Sequence, residues 1–466
     1  MAVKTRSALP FLLAGFALSA QALTPGSGTW IKESASYGSP NLQDAYVYVP
    51  ANASPAVRNG KRALMLSLHG CGQTASGNVI NKKFNWETTA EQYGMVVVAP
   101  TVPSGSSATR SVSGCWDWFG TGWTRTNRDQ VPLKKLIDSL LSRGLDIDPK
   151  QVYVSGLSAG GGETIIMGCA FPDVFAGMGI SAGPALGSTS GDISMDPKVS
   201  ASQVAANCKA ANGNNYNSHF ASQIASVVYG ANDYFVKNTH GTRNAEGLRS
   251  LYGTAASATT FTVAGGGNGK EWKDGNGQAR VTEISVAGMA HAWPAGSGGS
   301  GGGSYVSYAQ INYPAHVTAW LFQNNLRVGP GGEVTTTTAA TTTSTAATTT
   351  STKASTTTTK ATTTTTKAST TTTAKATTTT SQATTTTTKA TTTSTASTTT
   401  TTKAASAGAC FNSSNLMHVW SGRAYDVFGT AYALGSNQKM GLDSFFAKTK
   451  LRQKAWGFYV IDSTCP

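Results

Sequence analysis

Apolar residues in this chain fall into short continuous runs separated by polar and glycine-rich stretches. Residues 45–49 alternate apolar and polar, as a half-buried strand does. Residues 63–68, 95–99, 152–155, 176–181 and 224–229 are mostly apolar, and residues 281–286 carry Val281, Ile284 and Val286 among polar positions. Runs of that length and content predict strands buried on both faces. Residues 131–145 carry apolar positions at helical spacing, residues 163–170 are helix-compatible, and residues 315–322 predict a closing helix. Strands alternating with helices imply an α/β fold with a mostly parallel sheet covered on both sides. Gly265 to Gly267 and Gly296 to Gly303 read as loops, the second a surface loop or a rim shortly after His291.

The pattern stops at Val334. From 334 to about 407 the chain is almost entirely Thr, Ala, Ser and Lys, with no aromatic residue and no acid. Such a stretch cannot bury a core and is expected to be a disordered linker, a common target of O-glycosylation in exported proteins. Residues 409–466 turn compact and aromatic again. So short a module can hardly bury Phe411, Trp420, Tyr425, Phe428, Tyr432, Phe445, Phe446, Trp456, Phe458 and Tyr459 together. Some are expected to face outward as a binding surface, although an ordinary core is the plainer alternative.

At the other end, Lys4 and Arg6 precede an apolar run, residues 8–18, and Ala20-Gln21-Ala22 follows. This is the layout of a secretory signal peptide, too short to span a bilayer. The expected organisation is therefore a signal peptide (1–22), a catalytic domain (23–333), a Thr-rich linker (334–408) and a binding module (409–466). The protein would be secreted and extracellular, with no membrane span.

Six cysteines in an exported chain favour disulfides. Cys410 and Cys465 bracket the small module and are expected to pair. Cys71, Cys115, Cys169 and Cys208 allow three pairings. Cys71–Cys115 with Cys169–Cys208 is favoured. No C-x-x-C occurs, and His69 with Cys71 is the one tight Cys/His neighbourhood, so no metal site is expected. The formal charge of +14 owes six lysines to the linker (Lys353, Lys360, Lys367, Lys375, Lys389, Lys403) and two charges to the signal peptide. What remains forms no basic stripe, so nucleic acid is not an expected partner.

Gly156-Leu157-Ser158-Ala159-Gly160 fits G-x-S-x-G, directly after the 152–155 strand and before a helix-compatible run. Strand, tight turn and helix make this the context of a nucleophile elbow, with Ser158 as nucleophile. A serine hydroxyl needs a base to take its proton and a carboxylate to orient that base. Downstream, Asp233 ends a loop fed by the 224–229 strand, and His291 sits in a loop just beyond the 281–286 strand. His219, His240 and His316 lack that placement, as do Asp173, Asp192, Asp196 and Asp274. The oxyanion formed during attack needs two N–H donors. Ala159, after the nucleophile, and Cys71, in the loop after the 63–68 strand, are the candidates, with His69 fixing the loop by hydrogen bonds. A Cys71–Cys115 bond would pin residues 115–123 beside the site. Trp116, Trp118, Phe119 and Trp123 would then wall it, with Trp293 near His291; plain core packing is the competing role.

Together, Leu68-His-Gly-Cys-Gly-Gln73, Cys115-Trp-Asp-Trp-Phe119, Gly156-Leu-Ser-Ala-Gly160, Tyr229-Gly-Ala-Asn-Asp233 and Gly288-Met-Ala-His-Ala-Trp293 resemble the exported short-chain polyhydroxyalkanoate depolymerases, over roughly residues 29–327. Feruloyl and acetylxylan esterases of the same fold overlap in motif. The terminal module resembles the substrate-binding domain of poly(3-hydroxybutyrate) depolymerases, through Cys410-Phe-Asn-Ser-Ser-Asn415, Gly422-Arg-Ala-Tyr425, Gly435-Ser-Asn-Gln438 and Met440-Gly-Leu-Asp443. The run Gly160-Gly-Gly162 departs from the family pattern, where a larger residue would come sooner. The resemblance implies an α/β-hydrolase catalytic domain acting as a secreted serine esterase. Its partner would be an insoluble polyester surface, it would use no cofactor, and it would work as a monomer. An esterase of plant-wall esters with a carbohydrate-binding module is the alternative enzyme; an adhesin with a decayed hydrolase domain is the alternative of another class.

Overall fold

The computed structural model of the chain describes residues 23–34, 36–37, 41–103, 114–328, 408–420, 423–427, 430–442, 447–455 and 457–465. The expected signal peptide and all but the last residue of the expected linker lie outside the described residues.

Residues 23–328 are built on one ten-stranded sheet, in the order β1-β2-β4-β3-β5-β6-β7-β10-β9-β8. The strands are β1 (Trp30–Lys32), β2 (Asp44–Tyr48), β3 (Arg62–Leu68), β4 (Val96–Thr101), β5 (Ile147–Leu157), β6 (Gly177–Ser181), β7 (Ile224–Gly230), β8 (Thr259–Val263), β9 (Gly267–Lys273) and β10 (Ala279–Val286). The centre, from β4 through β3, β5, β6 and β7 to β10, is parallel. Both edges are antiparallel, so the sheet is mixed rather than mostly parallel.

Period-two alternation sorts the strand residues between two cores. Leu64, Leu66, Val96, Val98, Val152 and Val154 pack on one face. There they meet helices α2 (Gln130–Ser142), α3 (Ala159–Ala170), α4 (Ala201–Ala211) and α5 (Thr239–Tyr252) through Leu133, Ile165, Val204 and Leu248. Met65, Val97 and Tyr153 pack on the other, against α1 (Trp86–Tyr93) and α6 (Tyr313–Asn324) through Trp86, Val317 and Leu321. Each such fully buried side chain contributes about 1.5–3 kcal/mol of transfer free energy.

The β8–β9 hairpin turns within Gly265 to Gly267, the stretch read as a loop, and its two strands carry no apolar run that would announce them. Gly265 and Gly266 do make its turn, at positive φ. Gly267 nevertheless opens β9, and Gly269 lies under the Phe261 ring, where a Cβ would come within 2.3 Å of it. Glycine hides this strand because an aromatic from the neighbouring strand fills the space.

Two short strands, β11 (Trp293–Pro294) and β12 (Val306–Ser307), pair in parallel after the main sheet in the chain. The C-terminal module contains two three-stranded sheets, β13-β17-β18 and β14-β15-β16, and a short helix, Asn415–Trp420. The strands are β13 (Cys410–Ser414), β14 (Ala424–Val427), β15 (Thr430–Ala433), β16 (Lys439–Leu442), β17 (Lys448–Ala455) and β18 (Phe458–Ile461). A Cys410–Cys465 disulfide joins its ends. Its buried apolar residues are small or aliphatic: Leu416, Ala424, Ala431, Ala433 and Leu451. Among its described aromatics, Phe411, Tyr425, Tyr432, Phe458 and Tyr459 are all at least partly exposed.

Candidate active site

The carboxyl ends of β5, β6, β7 and β10 form one continuous edge, laced by backbone bonds. Ser158 N–H donates to Ser181 O (2.8 Å), Ala182 N–H to Val228 O (2.8 Å), and Ala231 N–H to Val286 O (2.9 Å). Ser158, Asp233 and His291 all sit on loops that leave this edge.

Ser158 occupies a strained corner between β5 and α3, at φ 58° and ψ −119°. A non-glycine residue keeps such a conformation only where its surroundings enforce it. Here close packing does so. A Cβ on Gly156 would lie 2.5 Å from Gly160 O, and one on Gly160 would lie 2.5 Å from both Leu68 O and His69 O. The unusual glycine run serves the same approach: Cβ atoms would lie 2.6 Å from Ser181 O at Gly161 and 2.9 Å from the Trp118 side chain at Gly162. The first turn of α3 is thus wedged between the β3 loop, the β6 loop and Trp118, with no room for a larger residue.

Asp233 and His291 are in direct contact. His291 Nδ1 lies 2.8 Å from Asp233 Oδ2, and both side chains are buried. Asp233 Oδ1 accepts the N–H groups of Phe235 (3.0 Å) and Val236 (3.1 Å), so the carboxylate is anchored to its own loop. Asn232 N–H donates to Met289 O (2.9 Å), which ties this loop to the one bearing His291. A carboxylate only accepts, so it places the imidazole proton on Nδ1 and leaves Nε2 as the unprotonated ring nitrogen. The ring is held between two aromatics: Phe235 stacks on it at 5.3 Å and Tyr305 meets it nearly edge-on at 5.8 Å. Neither aromatic carries a sequence signal for this role, since one follows the acid by two residues and the other follows a glycine-rich loop.

Cys71 lies in the loop after β3, and this loop covers the elbow: a Cβ on Gly70 would be 3.4 Å from Ser158 Cβ. Cys71 is disulfide-bonded to Cys115, and Cys169 to Cys208. Ala159 is buried in the first turn of α3. His69 is fully buried, and its Nε2 accepts Val102 N–H (3.1 Å) while its Nδ1–H donates to Gly70 O (2.7 Å). Burial pushes its pKa down to about 4, so it stays neutral and structural. His240 and His316 are also buried and shifted downward by burial; His240 accepts Ala185 N–H, and His316 stacks on Phe261.

The aromatic walls need correction. Trp116 and Trp293 are fully buried. Trp116 Nε1–H donates to His69 O (2.9 Å); Trp293 Nε1–H donates to Phe84 O (3.0 Å), and its ring stacks on Phe84 at 4.5 Å. Trp118 and Trp123 are buried too. These tryptophans pack into the two cores and offer a substrate little or no surface. Phe119 alone of the group is partly exposed, set perpendicular to Trp118. The strongly exposed aromatic beside the acid is Tyr234, at 79%. Among the described residues, no group of three or more His, Cys, Asp and Glu is placed to hold a metal ion.

The glycine-rich stretch after His291 is tied down. Asn85 Nδ2–H donates to Ala295 O (2.8 Å), Ser300 N–H to Lys82 O (2.9 Å), and Gln73 Nε2–H to Ser304 O (2.6 Å).

The sequence profile of a family described as esterase PHB depolymerase matches residues 45–265. A poly(3-hydroxybutyrate) depolymerase of Ralstonia pickettii is 40% identical over 98% of this chain and 96% of its own length. A poly(3-hydroxyalkanoate) depolymerase C of Paucimonas lemoignei is 30% identical over 54% of this chain and 57% of its own. An acetylxylan esterase of Coprinopsis cinerea is 30% identical over 34% of this chain and 39% of its own. A full-length match at this identity makes the chain a member of the poly(3-hydroxybutyrate) depolymerase family.

Proposed function

We propose that this protein is a secreted serine esterase that hydrolyses the ester bonds of poly(3-hydroxybutyrate). As a member of its family it is a carboxylic-ester hydrolase. The reading is carried by the 2.8 Å contact between His291 and Asp233, on the strand edge that also bears Ser158.

The chemistry follows from the groups present. Ser158 Oγ attacks the ester carbonyl carbon while His291 Nε2 takes its proton. Asp233 keeps the imidazole in the required tautomer and stabilises its charged form. The oxyanion accepts the N–H groups of Ala159, at the positive end of α3, and of Cys71. When the intermediate collapses, the ester C–O bond breaks and His291 returns the proton to the departing alkoxyl oxygen. That leaves a hydroxyacyl group on Ser158 and a shortened polymer with a free hydroxyl end. Water, deprotonated by His291, then attacks the acyl group; the bond from the acyl carbon to Ser158 Oγ breaks, His291 returns the proton to Oγ, and a short hydroxybutyrate acid leaves.

Residues 409–466 are the proposed binding module and residues 334–408 the proposed tether. Leu442, Phe458 and Ile461 are 67%, 40% and 37% exposed, which suits contact with an insoluble apolar surface. Tethering keeps the catalytic residues concentrated at that surface. Residues 1–22 are the proposed export signal; among the described residues no helix is long and apolar enough to cross a membrane.

A plant-wall ester is the weaker alternative, since the acetylxylan esterase aligns over about a third of the chain. Incubating the protein with polyester granules and with xylan, then assaying binding and soluble products, separates the two. Release from xylan without release from granules would overturn the proposal.

A further inference from the structure

Gln73 is buried at 4% exposure and spends its whole amide on backbone. Its Oε1 accepts Gly70 N–H at 2.7 Å, and its Nε2–H donates to Ser304 O at 2.6 Å. Its own N–H closes the turn onto Gly70 O at 3.2 Å. The same carbonyl accepts His69 Nδ1–H. Gly70 is therefore gripped at both its N–H and its C=O.

That grip has a consequence one bond away. In a trans peptide the carbonyl of one residue and the N–H of the next point to opposite sides of the same plane. With Gly70 O held toward His69 and the Gln73 backbone, the Cys71 N–H must point the other way. The other end of the Gln73 amide reaches Ser304, next to Tyr305, whose ring contacts His291. One side chain thus joins the loop carrying the oxyanion donor to the loop that confines the base.

We infer that Gln73 is a positioning residue for the esterase reaction: its side chain on Gly70 N–H and its backbone N–H on Gly70 O hold Gly70 from both sides so that the Cys71 N–H faces the oxyanion, and its amide ties Gly70 to the Ser304–Tyr305 rim beside His291. The inference rests on the triad and oxyanion assignment above. Preorganised donors act because they need no reorganisation during reaction. A donor free to rotate loses that advantage without changing how the ester binds beforehand.

The test uses the full chain, p-nitrophenyl butyrate, and a serine-reactive phosphonate to titrate active sites. Gln73→Met keeps the volume and removes both side-chain bonds. It should lower kcat per titrated site by about tenfold or more while KM stays within about twofold. A trifluoromethyl ketone, whose serine-bound hemiketal oxyanion uses the same donors, should lose affinity in parallel. Gln73→Glu provides an independent check. Its protonated carboxyl can replace both amide bonds, so its kcat relative to wild type should rise as pH falls from about 8 to about 5.5. Unchanged kcat per site in Gln73→Met, a loss confined to KM, or a flat Gln73→Glu ratio would each overturn the inference. If wild-type protein neither hydrolyses the ester nor takes the label, the esterase reading itself has failed instead.

Discussion

His291 Nδ1 and Asp233 Oδ2 meet at 2.8 Å although 58 positions separate them in the chain. Parallel neighbours β7 and β10 end at the same edge, and each delivers one member of the pair. The second oxygen of the carboxylate is anchored by two backbone N–H groups of its own loop.

Asp233→Asn should therefore fold, because its side-chain oxygen can still accept from Phe235 and Val236. Its amide N–H₂ would face His291 and force the wrong tautomer. In serine triads that change costs about 10⁴ in kcat. Measuring kcat on p-nitrophenyl butyrate beside the thermal midpoint checks this. A loss under tenfold with an unchanged midpoint would remove Asp233 from the proposed mechanism.

Gly160→Ala should be damaging out of proportion to one methyl group. The added carbon would sit 2.5 Å from two backbone carbonyl oxygens, Leu68 O and His69 O, which have no freedom to retreat. Overpacking of this kind costs about 1–3 kcal/mol. Gly275→Ala, where the added carbon meets nothing within 4 Å, is the control and should be neutral. Urea unfolding of the two variants makes the comparison; equal stability would mean that the elbow is looser than the geometry requires.

Much of this site is legible in the order of residues, and particular residues show why. β3, β7 and the 152–157 part of β5 lie between two helical layers and read as short, largely apolar runs, while β10 does so only through Val281, Ile284 and Val286. Ser158, Asp233 and His291 each follow such a run directly. Other features are set by partners distant in sequence. β9 is masked by Gly267 and Gly269, whose missing side chains leave room for Val263 and Phe261 of β8 and for Ile311. The sheet therefore looks more parallel in sequence than it is. Trp116 and Trp293 have the composition of a binding wall, yet sequence does not say which way a ring points, and both point into the core. Phe235, Tyr305 and Gln73 gain their roles only when separate loops meet.

Acid should weaken the fold before the carboxylates titrate. Burial holds the pKa of His69 down at about 4, against an ordinary value of 6.5. The unfolded chain therefore binds a proton more readily than the folded one. Stability from this group is complete above pH 6.5 and falls as pH drops toward 4, by up to about 1.4 kcal/mol per pH unit. His240 and His316, also lowered by burial, act in the same direction. Urea midpoints followed by tryptophan fluorescence at pH 7.5 and 4.5 test it. A midpoint unchanged over that interval would contradict the neutral, buried state assigned to His69.

Deleting residues 409–466 should leave kcat/KM on soluble esters within about twofold, because every proposed catalytic residue lies in residues 23–328. The same deletion should cut adsorption to polymer granules and the rate of granule clearing about tenfold or more, as expected when a tether that raises local concentration is lost. Equal losses on soluble and solid substrates would show that the module serves the catalytic domain rather than the surface.

The most direct measurement compares wild type with Ser158→Ala on poly(3-hydroxybutyrate) granules, recording adsorbed protein and released hydroxybutyrate together. The account expects equal adsorption, with product release by the variant reduced to background. Continued clearing of granules by Ser158→Ala would contradict it.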